Sequence, residues 1–137
     1  MRLETELWDW VDRRPREDHD LPLSWFESMQ VMDRVVDCRV VDIAQELSIT
    51  MGGVSKLVDR IERAGWCVRA PNPNDARSSV VTLTRAGRRV LSAAKGSCDD
   101  ELAVRLGMTV SPERLASFAS MVRDLRRHVA DEQGGAR

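Results

Sequence analysis

The chain has 137 residues and a mass of 15.5 kDa, enough for one compact domain with extra helices but too little for a two-domain α/β enzyme or a TIM barrel. Its 42% apolar and 31% charged residues are typical of a soluble globular protein. The net charge of −1 conceals an uneven distribution: residues 50–89 carry 8 basic and 3 acidic side chains, whereas residues 1–49 carry 6 and 12. A basic middle segment is typical of a surface that binds nucleic acid.

No segment predicts secretion or membrane insertion. Acidic residues stand where a signal peptide would have an apolar run, and no stretch approaches the roughly 20 apolar residues that span a bilayer. The three cysteines, Cys38, Cys67 and Cys98, lack the spacing of a zinc site. These observations predict a cytoplasmic protein that contacts no membrane and holds no metal or other cofactor.

Two helices are predicted before residue 40. Apolar residues at helical spacing indicate a short first helix that ends near Pro15, with a charged linker from there to Asp20. Ser24 is placed to cap a second helix. Its predicted buried face consists of Trp25, Met29, Met32 and Val36.

A helix-turn-helix is predicted next. The first of its helices covers residues 41–47, and the second begins after Thr50, a suitable N-cap. Gly65 is placed to end the second helix in a left-handed conformation. The buried face of that helix is predicted to be Val54, Leu57, Val58 and Ile61.

The pattern then changes to two short β-branched segments, residues 66–70 and 79–83, separated by residues typical of a turn. They predict a β-hairpin, or wing. Thr84 and Ser111 are placed to cap two further helices. The predicted fold class is therefore mainly α with a small β-hairpin: a winged helix-turn-helix at 21–90, an N-terminal helix and linker at 1–20, and C-terminal helices at 91–137.

The wing carries a spaced motif, D-x-R-x-x-x-x-x-L-T-x-x-G, which falls on Asp75, Arg77, Leu83, Thr84 and Gly87. With the helix-turn-helix segments at 42–47 and 54–62, this motif resembles the MarR family of winged-helix transcriptional regulators. The resemblance implies a homodimer that binds a pseudo-palindromic operator, most often a repressor released by a small lipophilic or aromatic effector.

The second helix of the pair should enter a major groove of DNA with its first residues near the base edges. The candidate contacts on this helix are Thr50, Gly52, Gly53, Ser55, Lys56 and Arg60. The two glycines would let the backbone approach DNA closely, and a neutral transition from loop to helix is the alternative.

The resemblance assigns Arg77 to the minor groove, with Asp75 orienting its guanidinium or bracing the wing against the recognition helix. Ser78, Arg69 and Asn72 are weaker candidates for contacts with the DNA backbone. A solvated surface hairpin is the alternative for the wing. A solvated helix face is the expectation for Arg85, Arg88 and Arg89.

By resemblance, the N-terminal helix and linker at 1–20 and the C-terminal helices at 91–137 serve dimerisation, and an effector site lies beside them. Dimer-interface candidates are Leu3, Leu7, Leu115, Phe118, Val122, Leu125 and Val129, and packing within one chain is their alternative. Effector-lining candidates are Trp8, Trp25, Phe26 and Met29, which could equally be ordinary core residues. Cys38, between Asp37 and Arg39, is predicted to be the most exposed thiol. A redox switch at this residue is therefore kept as an alternative.

The sequence offers no catalytic cluster. His19 and His128 stand alone, and no nucleotide-binding or serine-nucleophile motif is present. The prediction is a DNA-binding regulator that is not an enzyme. The alternative is a winged-helix module that binds another protein, for which the Asp75 and Arg77 pattern would have no evident use.

Overall fold

The computed structural model describes residues 2–72, 75–108 and 110–134. Some side chains within these ranges lie outside the description, and among the predicted site residues these are Leu3, Leu7, Trp8, Arg77 and Val129. The elements are α1 (Arg2–His19), α2 (Leu23–Arg34), α3 (Val40–Leu47), α4 (Met51–Arg63), β1 (Cys67–Asn72), β2 (Asp75–Leu83), α5 (Arg85–Gly107) and α6 (Pro112–Gly134). The predicted fold class, helices with one β-hairpin, is confirmed. The chain forms two compact units, Met1–Asp99 and Asp100–Arg137, described separately below.

The helix-turn-helix lies where the sequence predicts it. Ser48 takes a left-handed conformation (φ 54°) between α3 and α4, and Thr50 is extended at the N-cap of α4. The apolar face of α4 is buried at every predicted position, with Val54, Val58 and Ile61 completely inaccessible to solvent. Gly65 follows the helix with φ of +78°, so the chain reverses there without a side-chain clash.

The wing is an antiparallel hairpin in which Cys67 pairs with Leu83 and Pro71 pairs with Ser79. Both strands are longer than predicted. A short segment before α3 joins the hairpin, because the Val81 N–H donates to the carbonyl of Cys38 at 2.7 Å and Arg39 forms an isolated bridge with Val80. The wing is thus anchored to the helical part of the first unit as well as to its own partner strand.

One apolar core holds the first unit together. Side chains from α2, α3, α4, the hairpin and α5 meet in it, and no described buried polar side-chain atom lacks a hydrogen-bond partner. The largest buried side chains include Leu21, Met29, Ile43, Ile61, Leu83 and Leu91. Burial of this apolar surface is the main source of stability for the helix-turn-helix.

The prediction that α1 ends near Pro15 is wrong, because the helix continues to His19 and replaces the predicted linker. Proline removes one helical hydrogen bond, but Pro15 is fully buried, and its packing offsets that loss. Two polar contacts tie α1 to its neighbours. The Asp12 carboxylate accepts the Leu23 N–H at 2.9 Å, and the His19 ring nitrogen Nε2 lies 2.9 Å from the Ser97 hydroxyl.

Two predictions about α2 are also wrong. Ser24 does not cap the helix, because Pro22 occupies the N-cap and the capping oxygen comes from Asp12 on α1. Val36 does not belong to the buried face, because α2 ends at Arg34 and Val36 is 87% exposed. In both cases the outcome depends on a partner or a turn that the local pattern does not reveal.

The second unit contains the end of α5 and all of α6. Helix α5 ends at Gly107. As predicted, α6 begins after Ser111, whose carbonyl accepts the Leu115 N–H at 3.0 Å. Leu115 is half-buried, whereas the other described members of the predicted stripe are exposed: Phe118 60%, Val122 38% and Leu125 65%. Within the described residues, no helix is both long and apolar enough to cross a membrane.

Candidate nucleic-acid interface

The first turn of α4 is exposed and is capped by Thr50. The Thr50 hydroxyl oxygen accepts the Gly53 N–H at 3.2 Å, which satisfies one of the amide groups that a helix leaves unpaired at its start. Gly52, Gly53 and Lys56 are all exposed on this turn and the next. The predicted base-reading end of the helix is therefore free of contacts that would cover it within the described chain.

The two acidic residues of α4 are both engaged by Arg69 on β1. The Arg69 guanidinium lies 2.7 Å from Asp59 and 2.8 Å from Glu62, and it also donates to the Ser55 carbonyl at 3.2 Å. The backbone N–H of Arg69 donates to Glu62 at 2.8 Å. Arg69 is thus committed to bracing the wing against α4, which argues against its predicted contact with DNA.

This brace leaves the basic residues of α4 uncompensated. Lys56, Arg60 and Arg63 are exposed at helical spacing, and none forms an ion pair with another described residue. Arg69 shares one positive charge between Asp59 and Glu62, and the helix itself adds three basic residues. Four basic groups against two acidic ones leave this side of α4 electropositive. An exposed face of this kind attracts the phosphates of a nucleic acid.

Two concavities flank the start of α4. The first, about 550 Å³, is lined by Thr50, Gly53, Lys56 and Arg60 among others. The second, about 530 Å³, lies between α3, α4 and the wing, and its lining includes Arg39, Gly52, Ser55 and Ser78. The predicted contacts are thus divided between the two concavities: Thr50, Gly53, Lys56 and Arg60 line the first, and Gly52, Ser55 and Ser78 line the second.

The far part of the wing is stiffened by short polar contacts. The Asn72 amide donates to the Ser78 hydroxyl at 2.9 Å, and that hydroxyl donates to the Asp75 carbonyl at 3.2 Å. Ser78 and Asn72 are thus occupied in holding the wing. Asp75 and Arg77 lie at the start of β2, but the Arg77 side chain is outside the description, so its predicted role in the minor groove stays a prediction.

The second half of the wing motif is structural. Leu83 is buried in the core, and the Thr84 hydroxyl donates to the Gly65 carbonyl at 2.7 Å while accepting the Gly87 N–H at 3.0 Å. A side chain on Gly87 would overlap the backbone carbonyl of Trp66. These three residues join α5 to the end of α4, whereas Asp75 is exposed at the start of β2.

The prediction that Cys38 is the most exposed thiol is wrong. Cys38 is 1% exposed, because the left-handed turn at Asp37 (φ 51°) directs the next residue into the core. Burial raises the pKa of Cys38 to about 11, and the Asp42 carboxylate contributes to that shift. Cys67 is buried as well, with its pKa raised to about 11 by burial, and Cys98 is buried as predicted. Because the thiolate is the reactive form, these thiols are protected from oxidation.

The predicted effector-lining residues are not on an open surface of the described chain. Phe26 and Met29 lie in the core, at 5% and 0% exposure. Trp25 is half-buried and meets Trp66 edge-on, with ring centroids 5.6 Å apart. The side chain of Trp8, on α1, is outside the description. The effector site stays a prediction.

Sequence reasoning did not identify the brace between the wing and α4. It treated Arg69 as a weak candidate for DNA and gave the bracing role to Asp75. A signal was available, because Glu62 and Arg69 carry opposite charges on either side of the Gly65 turn. A chain reversal between two such residues favours an ion pair across it.

Three comparisons place the chain among known proteins. Residues 19–78 match the family model described as "MarR family". The multiple antibiotic resistance protein MarR of Escherichia coli strain K12 is 26% identical over 83 residues, which are 61% of this chain and 58% of that protein. The match therefore spans less than two thirds of the relative's own length.

Solved structures share the fold. The MarR family regulator Sco3205 from Streptomyces coelicolor, in complex with DNA, superposes with a TM-score of 0.79 at 24% identity, over 91% of this chain and 80% of that one. CouR from Rhodococcus jostii RHA1, bound to p-coumaroyl-CoA, superposes with a TM-score of 0.76 at 17% identity, over 90% and 86%. The matched residues 19–78 are less than half of the chain, so the comparisons show similarity to MarR family regulators in that segment and a shared fold.

Proposed function

We propose that this protein is a sequence-specific DNA-binding transcriptional regulator that acts as a homodimer on a pseudo-palindromic operator. The observation that carries the proposal is the electropositive face of α4, where Lys56 and Arg60 are exposed and the adjacent acids are ion-paired with Arg69. The ion pairs reduce the repulsion between these carboxylates and DNA when such a recognition helix enters a major groove. The relative Sco3205, which shares the fold, was solved in complex with DNA.

The proposed contacts divide into two groups. Thr50, Gly52, Gly53, Ser55, Lys56 and Arg60 meet the major groove and its phosphates. Asp75, Arg77 and Ser78 belong to the wing, where Arg77 inserts into the minor groove, Asp75 orients it, and Ser78 holds the loop. Major-groove contacts select the bases, whereas a wing arginine responds to groove width.

The second copy is proposed to cover the apolar face of α6. Phe118, Val122 and Leu125 are too exposed to contribute to the core of one chain, and contiguous apolar surface of this kind is typical of an interface. Leu115 and Val129 continue the same face, and Leu3 and Leu7 are the contribution of α1. A twofold dimer places two recognition helices about one turn of DNA apart.

A small lipophilic or aromatic effector is proposed to release the operator, so the protein would be a repressor that responds to its ligand in the cytoplasm. CouR, of the same fold, was solved with p-coumaroyl-CoA bound. An effector that binds better to the dimer with the wrong helix spacing shifts the population away from the DNA-binding form. We assign no catalytic step and no cofactor to this chain.

The test is a selection of genomic fragments on the purified protein at roughly physiological salt. We expect a few pseudo-palindromic sites to be recovered. On those sites, Arg77→Ala should weaken binding by about 1–3 kcal/mol, and Lys56→Ala should lower the slope of log affinity against log salt by about 1 if Lys56 contacts a phosphate. The control Arg89→Ala removes an exposed arginine of α5 and should change little. Fragments recovered at background level would reject operator binding and favour the protein-interaction module.

A further inference from the structure

The two glycines at the start of α4 lie where a helix gains nothing from glycine. Both have ordinary helical φ, unlike Gly65, and both are exposed. Glycine is a much poorer helix former than alanine. A glycine in such a position is normally explained by a positive φ or by a neighbouring atom that leaves no room for a Cβ, as the Trp66 carbonyl does at Gly87.

The two glycines differ in what surrounds them. A Cβ on Gly53 would lie 3.2 Å from the Thr50 hydroxyl oxygen, so Gly53 leaves room for the group that caps the helix. A Cβ on Gly52 would meet no described atom within 4 Å. No neighbour in the described chain therefore requires a glycine at position 52.

Gly52 lies on the part of α4 that is proposed to face DNA. It lines the concavity between α3, α4 and the wing, together with Ser55 and Ser78. Any side chain at position 52 would project from the first turn of α4 into this space. When α4 is in the major groove, the same space faces the DNA.

We propose that Gly52 is a positioning residue for DNA, at which the bare backbone of α4 packs directly against the duplex and sets how deeply the helix enters the groove. The inference rests on the proposed operator binding. A Cβ would lengthen the closest approach by about 1.5 Å, the length of one carbon–carbon bond. Hydrogen bonds from Lys56 or Ser55 to base edges do not tolerate a displacement of that size.

The test separates stability from binding in Gly52→Ala, with Gly96→Ala as the matched control. Gly96 is an exposed glycine of α5, and its added Cβ also meets no described atom within 4 Å. Both substitutions should raise the melting temperature by a few degrees, because alanine favours the helix. Gly52→Ala alone should lower affinity for a duplex carrying a recovered operator, by about tenfold or more.

A salt titration distinguishes the steric role from a lost phosphate contact. The slope of log affinity against log salt should be the same for Gly52→Ala and the wild type, because no charge changes. Wild-type affinity in Gly52→Ala would overturn this inference alone, and so would a lower melting temperature. If the selection on the wild type recovers no site above background, there is no operator duplex to test, and the proposed function itself is rejected.

Discussion

Helices α4 and α6 carry the same kind of apolar stripe but use it differently. On α4, Val54, Leu57, Val58 and Ile61 are between 0% and 9% exposed. On α6, Phe118, Val122 and Leu125 follow the same three-and-four spacing, yet they are between 38% and 65% exposed. One stripe is enclosed within its own chain and the other is not.

The difference shows that helical periodicity identifies the apolar face without identifying its partner. The stripe of α4 is enclosed because α2, α3 and β1 surround it within the first unit. Such enclosure requires elements that come from several places in the sequence. For α6, the proposed partner is a second copy of the chain. Four measurements test these differences, in decreasing order of expected effect.

The largest expected effect is on the enclosed stripe. Ile61→Ala should lower the free energy of unfolding by about 2–5 kcal/mol, because it leaves a cavity in a fully buried position. Chemical denaturation at two protein concentrations measures this. Ile49→Ala, at an isoleucine that is 43% exposed, is the control and should cost much less. Equal losses in the two variants would contradict the enclosure of α4.

A substitution in the exposed stripe of α6 should weaken the dimer. Phe118→Ala should raise the dimer dissociation constant by about 30-fold or more, equivalent to about 2 kcal/mol, as expected for a large aromatic residue in an interface. Sedimentation at a series of concentrations provides the measurement. Val36→Ala, on an apolar side chain exposed outside α6, is the control. An unchanged dimer in the Phe118 variant would place the interface elsewhere.

A smaller effect on stability is expected at the N-cap of α4. Thr50→Ala should destabilise the start of α4 by about 1 kcal/mol, because the Gly53 N–H loses its acceptor, whereas Thr50→Ser should retain most of the stability. Hydrogen exchange of the first-turn amides measures the effect locally. Ser111→Ala should leave the exchange of the α4 amides unchanged. Faster exchange of the α4 amides in Ser111→Ala would show that the two helix starts are not independent.

The smallest effect concerns acid stability. Hydrogen bonds from Arg39 lower the pKa of Asp42 at the start of α3, so this carboxylate stabilises the fold at neutral pH and loses that effect as the pH falls through its folded pKa. The pair is partly solvated, so we expect at most about 1 kcal/mol. Unfolding measured at pH 7 and below about pH 4 should show less acid destabilisation in Asp42→Asn than in the wild type. An identical acid response in both would rule out this contribution.

Local chemistry was sufficient to predict the helix-turn-helix, the Thr50 and Thr84 caps and the left-handed Gly65. Each depends on residues within a few positions of one another. Long-range packing decided the rest. Burial keeps Pro15 inside α1, and the turn at Asp37 carries Cys38 into the core, where its carbonyl pairs with β2. The same distinction applies to the candidate site. Local spacing predicted the buried and exposed positions of α4, whereas the brace made by Arg69 depends on a contact between two elements and was not predicted.

That brace has a consequence for operator sequences. Because Arg69 is bonded to Asp59, Glu62 and the Ser55 carbonyl, the wing and α4 are held at one fixed separation. If α4 and Arg77 contact DNA as proposed, the number of base pairs between the major-groove and minor-groove contacts within a half-site is then constant. Natural operators should therefore tolerate insertions and deletions only between the two half-sites, where the spacing is set by the dimer.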